Sequence, residues 1–213
     1  MIYGKNPFSL IDYPKNISYV IFLGGCNFRC SYCHNKDIVN ENTKKIKEEE
    51  VLNELKQRKK IVKAITITGG EPTIHGKKLI NFIKKIKDLG LKVKLDTNGT
   101  NPEVIEKLVD SNLIDYIAMD IKNTYDKYFE TIGVKVNLSK IRESIKLIEN
   151  CGVNYQFRST VNKDMHSIDD INEMLGYVKD SSMFVLQPYK YSENQLKDIH
   201  YTEYSEEDLE NIK

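Results

Sequence analysis

The chain of 213 residues contains no tryptophan, five prolines and only four cysteines. Four cysteines in a chain of this length argue against a disulfide-rich secreted scaffold. The sequence has no run of about 18 apolar residues that could cross a membrane, and charged residues interrupt any signal-peptide pattern near the N-terminus. Charge of one sign is not in excess either, since 32 Lys and Arg against 31 Asp and Glu give a formal net charge of +1. We therefore expect a cytoplasmic protein that binds neither nucleic acid nor membranes.

The hydrophobic pattern alternates between two periods along the chain. With 40% hydrophobic and 30% charged residues, the chain should fold with a sizeable core. Apolar, β-branched runs predict strands, and segments of helical period between them predict helices. The predicted strands are 17–23, 64–68, 93–96, 116–121, 153–161 and 183–187, and the predicted helices are 48–60, 77–89, 102–111, 139–150 and 167–179.

This alternation predicts an α/β fold with parallel strands, either an open doubly wound sheet or a partial barrel. Both architectures gather their chemistry where the strands end, at the C-terminal edge of the sheet. After the last strand the chain is polar, and Ser205 followed by Asp208 predicts the start of one short final helix. The residues that follow each strand are therefore the candidates for a functional site.

Three cysteines follow the first predicted strand. Cys26, Cys30 and Cys33, here called the cysteine triad, have the spacing C-x3-C-x2-C. Thiols this close together either bind one metal centre or stay reduced and unused. Zinc would need a histidine as a fourth ligand, because Cys3His is an ordinary structural zinc site. An iron–sulfur cluster fits better, although a [4Fe–4S] cluster normally takes four thiolates and the remaining Cys151 is far along the chain. One iron would then keep an open coordination position.

The second predicted strand ends in Gly69-Gly70-Glu71. Two glycines let a ligand approach the backbone closely, and a carboxylate can accept a hydrogen bond from an ammonium group. A tight turn between a strand and a helix explains the same residues without a ligand.

Acidic residues end the third and fourth predicted strands. Asp96, which precedes Thr97, and Asp120 need positive partners if they are buried, and Lys122 is a candidate for an ion pair. Arg158 lies in an apolar strand of a chain whose basic residues are mostly lysines, which favours a bidentate or stacking use. Arg158 either holds a ligand or closes an ion pair.

Together these residues resemble a known family. The triad with Tyr32 just before its third cysteine looks like the signature of the radical S-adenosylmethionine (SAM) superfamily. The segments SLIDYP at 9–14, FLGGCNFRC at 22–30 and YCHN at 32–35 resemble the activases of glycyl radical enzymes. Within these, the likeness is greatest to the activating protein of anaerobic ribonucleoside-triphosphate reductase.

The resemblance implies a partial (β/α)6 barrel with the cluster and SAM at the C-terminal strand edge. It implies a single radical SAM domain over 1–213, with a core at about 15–190 and a polar tail at 189–213. Each cysteine of the triad would ligate one iron of a single [4Fe–4S] cluster. The amino and carboxylate groups of SAM would chelate the fourth iron.

The resemblance also implies roles for the other candidate residues. Tyr32 would pack near the adenine of SAM, and the Gly-Gly-Glu turn would hold its methionyl amino group. The remaining candidates would line the SAM site, namely Asp96, Thr97, Asp120 and Lys122. Asp96, Thr97 and Asp120 could also hold a monovalent cation. Some activases have histidine in place of Lys190, so no role is carried over to that position.

The function implied is activation of a partner enzyme. A flavodoxin or ferredoxin would supply one electron, SAM would be cleaved reductively, and a glycine of the partner would lose a hydrogen atom. Anaerobic ribonucleotide reductase is the expected partner. The alternatives are another glycyl radical enzyme such as pyruvate formate-lyase, a radical SAM enzyme acting on a small molecule or RNA, and a zinc-stabilised binding module without catalysis.

Overall fold

The computed structural model describes residues 1–212, and its centre is a seven-stranded sheet whose strands follow one another in chain order. The strands are β1 (Ile2–Ser9), β2 (Ser18–Leu23), β3 (Ala64–Gly69), β4 (Lys92–Thr97), β5 (Tyr116–Asp120), β6 (Asn154–Val161) and β7 (Phe184–Pro188). Strand β1 pairs antiparallel with β2, and β2 to β7 are all parallel. The sheet stays open between β1 and β7, so the predicted α/β fold with a partial barrel is confirmed.

Helices lie between the parallel strands, and one more follows the last strand. They are α1 (Lys36–Val39), α2 (Glu48–Arg58), α3 (Lys77–Lys87), α4 (Pro102–Asp110), α5 (Tyr128–Ile132), α6 (Leu138–Asn150), α7 (Ile168–Leu175) and α8 (Glu206–Glu210). Helix α3 shows why these segments are helical, since Leu79, Phe82, Ile83 and Ile86 recur on one face and are fully buried. Among residues 1–212, no helix is long and apolar enough to cross a membrane.

Each of the six predicted strands agrees with an observed strand to within one residue at both ends. The antiparallel strand β1 was not predicted, because Gly4 and Pro7 interrupt its alternation and its pairing with β2 is irregular at two places. A proline is tolerated there because β1 lies at the edge of the sheet. The short helices α1 and α5 span only four and five residues, too few to show a period.

The chain after β7 packs back onto the sheet. Tyr189 is fully buried, and Tyr204 and Leu209 are nearly so. Helix α8 begins at the predicted place, where Ser205 and Asp208 form a capping box. The polar tail expected from the sequence is therefore a packed segment of the fold.

Candidate functional site

A cavity of about 290 Å³ lies at the C-terminal edge of the parallel strands. All twelve residues singled out in the sequence line it: Cys26, Cys30, Tyr32, Cys33, Gly69, Gly70, Glu71, Asp96, Thr97, Asp120, Lys122 and Arg158. Parallel pairing brings them together, because the strand ends that precede them are neighbours in the sheet. The geometry thus assembles the predicted site, while the role of each residue stays a prediction.

The cysteine triad lies in the loop after β2. Cys30 is buried, and Cys26 and Cys33 are partly buried. Burial raises the pKa of the Cys26 thiol to about 12 and that of Cys30 to about 11, and the neighbouring thiols add to both shifts. Thiols with such pKa values stay protonated at neutral pH, so a bound metal would have to displace their protons.

The C-terminal segment, residues 190–201, forms hydrogen bonds with the cysteine loop. The backbone N–H of Leu196 donates to the carbonyl of Cys33 at 2.9 Å, and that of Lys197 donates to the carbonyl of Ser31 at 3.0 Å. The Tyr201 hydroxyl hydrogen-bonds to the Ser31 hydroxyl at 2.5 Å. These contacts fix the backbone between the second and third cysteines of the triad.

Two glycines allow the cysteine loop and the loop after β3 to touch. The backbone N–H of Glu71 donates to the carbonyl of Gly25 at 2.9 Å. A Cβ on Gly70 would lie 1.8 Å from that same carbonyl oxygen, and Gly69 has a φ of +126°. Only glycine fits such a close approach and such a backbone angle, so close packing of two loops accounts for both residues before any ligand is considered.

Glu71 is fully buried beneath this contact and joins β3 to β4. Its Oε1 accepts from the backbone N–H and hydroxyl of Thr73 and from the Thr97 hydroxyl, and its Oε2 accepts from the backbone N–H of Asn98 at 2.6 Å. Burial raises the pKa of Glu71, and these four donors oppose the rise. Glu71 therefore positions two strand ends, and Oε2 retains room for one further donor.

Five charged side chains form a continuous ion-pair network under the cavity, in the order Lys94, Asp96, Arg158, Asp120 and Lys122. Arg158 is central, since its Nη1 donates to Asp96 Oδ2 at 3.1 Å and its Nε donates to Asp120 Oδ1 at 2.8 Å. Lys94 donates to the other oxygen of Asp96, and Lys122 donates to the other oxygen of Asp120. Every carboxylate oxygen of the network thus accepts from a cationic group.

The network keeps its acids ionised in spite of burial. Burial alone would raise the pKa of Asp120, but Arg158 and Lys122 lower it to about 2. Burial would likewise lower the pKa of Arg158 and of Lys122, and the acids beside them raise both instead. The expected Lys122–Asp120 ion pair is present, and Arg158 closes ion pairs with Asp96 and Asp120 by one hydrogen bond to each, so it bridges two acids and is not bidentate to one.

A buried histidine forms a hydrogen bond to the backbone of Lys122, a member of the network. His166 Nε2 donates to the backbone carbonyl of Lys122 at 2.8 Å, and its Nδ1 accepts from the backbone N–H of Asn162 at 3.3 Å. Burial lowers the pKa of His166. Protonation at Nδ1 would place a hydrogen against the Asn162 N–H, so the neutral ring fits this position.

Tyr32 forms part of the cavity wall. It is 5% exposed and packs edge-on against Tyr189 and Tyr201, with 6.4 Å between ring centroids in both cases. Within residues 1–212, the buried Tyr32 hydroxyl has no hydrogen-bond partner. A buried hydroxyl usually has a partner, and because Tyr32 lines the cavity, a ligand bound there could supply one.

The residues present fit an iron–sulfur cluster and SAM. The triad offers three thiols in one loop, and the unpaired Tyr32 hydroxyl offers a contact for a polar ligand. A single zinc ion fits less well, because in the described part of the chain no three His, Cys, Asp or Glu side chains converge on one point. The oxygens of Asp96 and Asp120, which could hold a monovalent cation, each accept from a cationic side chain, and the Thr97 hydroxyl donates to Glu71.

Cys151 and Lys190 lie outside the cavity. Cys151 lies at the C-terminal end of α6, where its Sγ is 3.2 Å from the carbonyl of Ile148, away from the cavity. Lys190 pairs with Glu203 at 2.6 Å on the exposed surface.

Sequence reasoning missed Lys94 and the C-terminal segment. Lys94 alternates with apolar residues in β4, which is typical of a solvent-facing lysine, yet it is 3% exposed. The contacts between 190–201 and the cysteine loop join residues about 160 positions apart, such as the Asn194 amide and the His34 carbonyl. No local pattern reports contacts of that separation.

The chain is similar in sequence to known proteins. The family model described as the Radical SAM superfamily matches residues 20–178. The chain is 38% identical over 194 residues to a Methanocaldococcus jannaschii protein named "Putative glycyl-radical enzyme activating enzyme", covering 89% of this chain and 80% of that protein. It is 28% identical over 197 residues to the pyruvate formate-lyase-activating enzyme of Clostridium pasteurianum, covering 88% and 81%.

A solved structure shares the fold. Streptococcus suis SuiB bound to S-adenosylmethionine superimposes with a TM-score of 0.70 at 20% identity. The match covers 91% of this chain and 47% of SuiB, so this chain spans about half the length of that protein.

Proposed function

The chain belongs to the radical SAM superfamily, among its glycyl-radical enzyme activating enzymes, and from this we propose that it cleaves SAM reductively to activate a glycyl radical enzyme. One observation carries the proposal: the cysteine triad and the nine residues predicted to contact SAM line a single cavity at the C-terminal strand edge. That is the edge at which parallel α/β folds hold their ligands.

The triad would hold three irons of one [4Fe–4S] cluster and leave the fourth iron to the amino and carboxylate groups of SAM. When bound, the cluster supplies the electron that splits SAM into methionine and a 5′-deoxyadenosyl radical, which takes a hydrogen atom from the Cα of a partner's glycine. The protein contributes binding, orientation and exclusion of water. The C-terminal segment serves this purpose by fixing the loop that carries the thiols.

The cavity walls would orient SAM by charge and shape. Lys122 and Arg158 present positive charge near the place where a carboxylate would lie. The free lone pair on Glu71 Oε2 and the glycine backbone would receive the amino group. Tyr32 would pack near the adenine and offer its unpaired hydroxyl to a polar atom of the ligand.

The test begins with protein reconstituted anaerobically with iron and sulfide, to which dithionite and SAM are added. We expect 5′-deoxyadenosine and methionine, quantified by chromatography. The Cys30→Ala variant is the matched control, since it removes one thiol of the triad and should form little product. Well-loaded wild-type protein that forms no 5′-deoxyadenosine would overturn the proposal.

We propose anaerobic ribonucleotide reductase as the partner and a flavodoxin or ferredoxin as the electron donor. Loaded protein is mixed separately with this reductase and with pyruvate formate-lyase, which the name of the Clostridium pasteurianum relative makes the alternative. An electron paramagnetic resonance doublet from a glycyl radical identifies the partner. A doublet with pyruvate formate-lyase alone would correct the choice of partner and leave the activase function standing.

Two other outcomes would change the function itself. Formation of 5′-deoxyadenosine with no radical on either partner would favour a small molecule or RNA as the substrate, although balanced charge argues against RNA. Anaerobically purified protein that contains zinc and neither iron nor sulfide would favour a binding module.

A further inference from the structure

We propose that the ammonium group of Lys94 takes the place of a monovalent cation beside Asp96, so that this chain binds SAM without potassium or sodium. The inference deepens the proposed function and rests on it for the identity of the ligand. It concerns the ion-pair network under the cavity, whose acidic residues are of a type that can also hold a metal ion.

The position of Lys94 follows from the period of the strand. Lys94 and Asp96 are two residues apart in β4, so their side chains leave the same face. Lys94 is 3% exposed and donates to Asp96 Oδ1 from beneath the cavity. A lysine is almost never buried without a charged partner, and Asp96 is the partner here.

Each carboxylate oxygen that a cation would need already accepts from a cationic side chain, whose positive charge would repel a metal ion. Arg158 takes the second oxygen of Asp96 at 3.1 Å, and Arg158 and Lys122 take the two oxygens of Asp120 at 2.8 and 3.1 Å. The Thr97 hydroxyl is directed to Glu71 at 2.8 Å. An incoming potassium or sodium ion would have to lie against these cationic side chains or displace one of them from its carboxylate.

The charge balance leads to the same conclusion. Three cations (Lys94, Arg158 and Lys122) and two anions (Asp96 and Asp120) leave the network with one positive charge. A metal cation would bring the total to two positive charges in a poorly solvated place, which is unfavourable. The carboxylate of SAM, unlike a metal cation, would lower the positive charge at the network, while the amino group of SAM would lie at Glu71.

The experiment measures SAM affinity of the cluster-loaded protein by equilibrium dialysis in KCl, NaCl or choline chloride of equal ionic strength. We expect the wild-type dissociation constant to change by less than about twofold among the salts. The Lys94→Met variant should bind SAM about tenfold more tightly in KCl than in choline chloride, because removal of the ammonium frees an oxygen of Asp96 for potassium. Lys94→Arg retains a cation and should stay indifferent to the salt.

Lys92→Met is the matched control, since it removes a lysine from the same strand at an exposed position and should behave as the wild type. Wild-type affinity that rises severalfold in KCl would overturn the proposal. So would a Lys94→Met variant that binds SAM equally in all three salts, because Lys94 would then do nothing that a cation does.

A second measurement uses the protein without its cluster and separates this inference from the proposed function. The thermal unfolding midpoint is compared in KCl and choline chloride of equal ionic strength. We expect no difference for the wild type and a higher midpoint in KCl for Lys94→Met. Stabilisation of the wild type by KCl would refute the inference even if the loaded protein failed to bind SAM, whereas failure to bind SAM in every salt would refute the proposed function alone.

Discussion

Replacement of Arg158 by methionine tests how much the ion-pair network contributes to the fold. Methionine keeps most of the length of the side chain and removes the guanidinium that joins β4, β5 and β6. Two charged hydrogen bonds are lost, at 3.1 Å to Asp96 and at 2.8 Å to Asp120. Lys94 and Lys122 remain on the outer oxygens of the two acids, so neither acid is left entirely without a cation.

The size of the effect follows from these contacts. A hydrogen bond to a charged group contributes about 1.5–3 kcal/mol, and removing one partner of a buried ion pair costs about 3–5 kcal/mol. The side chains of Arg158, Asp96 and Asp120 are 15%, 11% and 29% exposed, so solvent screens the pairs little. Because two lysines remain, we place the loss of unfolding free energy at the lower end, about 3 kcal/mol.

The assay is urea unfolding of the protein without its cluster under reducing conditions, followed by circular dichroism. Arg158→Lys is the companion variant, because one ammonium group keeps the charge but cannot bridge two acids as a guanidinium does, and it should lose about 1.5 kcal/mol. An Arg158→Met variant within about 0.5 kcal/mol of the wild type would refute the reasoning.

The effect should also depend on pH. Arg158 and Lys122 lower the pKa of Asp120 from 3.8 to about 2. Asp120 therefore stabilises the fold fully above pH 3.8, and this contribution is lost as the pH falls from 3.8 towards 2. The difference between wild type and Arg158→Met should be largest near neutral pH and should shrink in that acid window. A difference that grew on acidification would contradict the assignment.

Three further predictions concern the cysteines, His166 and the C-terminal segment. Alanine at any position of the cysteine triad should lower the iron bound after anaerobic reconstitution, whereas Cys151→Ala should keep its iron and lose about 1 kcal/mol of stability; equal iron loss in Cys151→Ala would contradict this. Because burial lowers the pKa of His166 below 6.5, the unfolded state binds the extra proton first, and the unfolding free energy should fall as the pH drops below 6.5. His166→Gln should flatten that dependence and the exposed His200→Gln should not, and parallel curves for wild type and His166→Gln would exclude this cause. Lys197→Pro removes the N–H that donates to the cysteine loop, and its unfolding free energy should be about 1–2 kcal/mol lower than that of Lys197→Ala. Equal urea midpoints for the two variants would refute this.

The sequence predicted the parallel strands and the residues at their ends because both depend on local information. A buried parallel strand has a continuous apolar run, and neighbouring strands bring their ends to one edge of the sheet. Arg158 and Asp120 are opposite one another in the register of β5 and β6, and this pair was not predicted from the sequence.

Other features depend on information that no local pattern contains. The alternation in β4 is the same whether Lys94 faces solvent or the interior, and only the three-dimensional sheet shows that it faces Asp96. The sequence predicted that Glu71 binds a ligand, yet its four hydrogen bonds all come from protein donors at the ends of β3 and β4. A sequence motif identifies a residue type that a site needs, but it does not predict how many hydrogen bonds that residue will make within its own protein.

The contacts between the C-terminal segment and the cysteine loop have a consequence for biosynthesis. A ribosome makes the triad early, whereas Leu196 and Lys197, whose N–H groups fix the backbone between Ser31 and Cys33, emerge more than 160 residues later. A nascent chain that has reached only β7 carries all three thiols without the contacts that hold their loop. The cysteine loop is therefore fixed for iron and sulfide only after translation has passed Lys197. A premature stop before that residue would leave the thiols in a loop without these contacts, where they are open to oxidation.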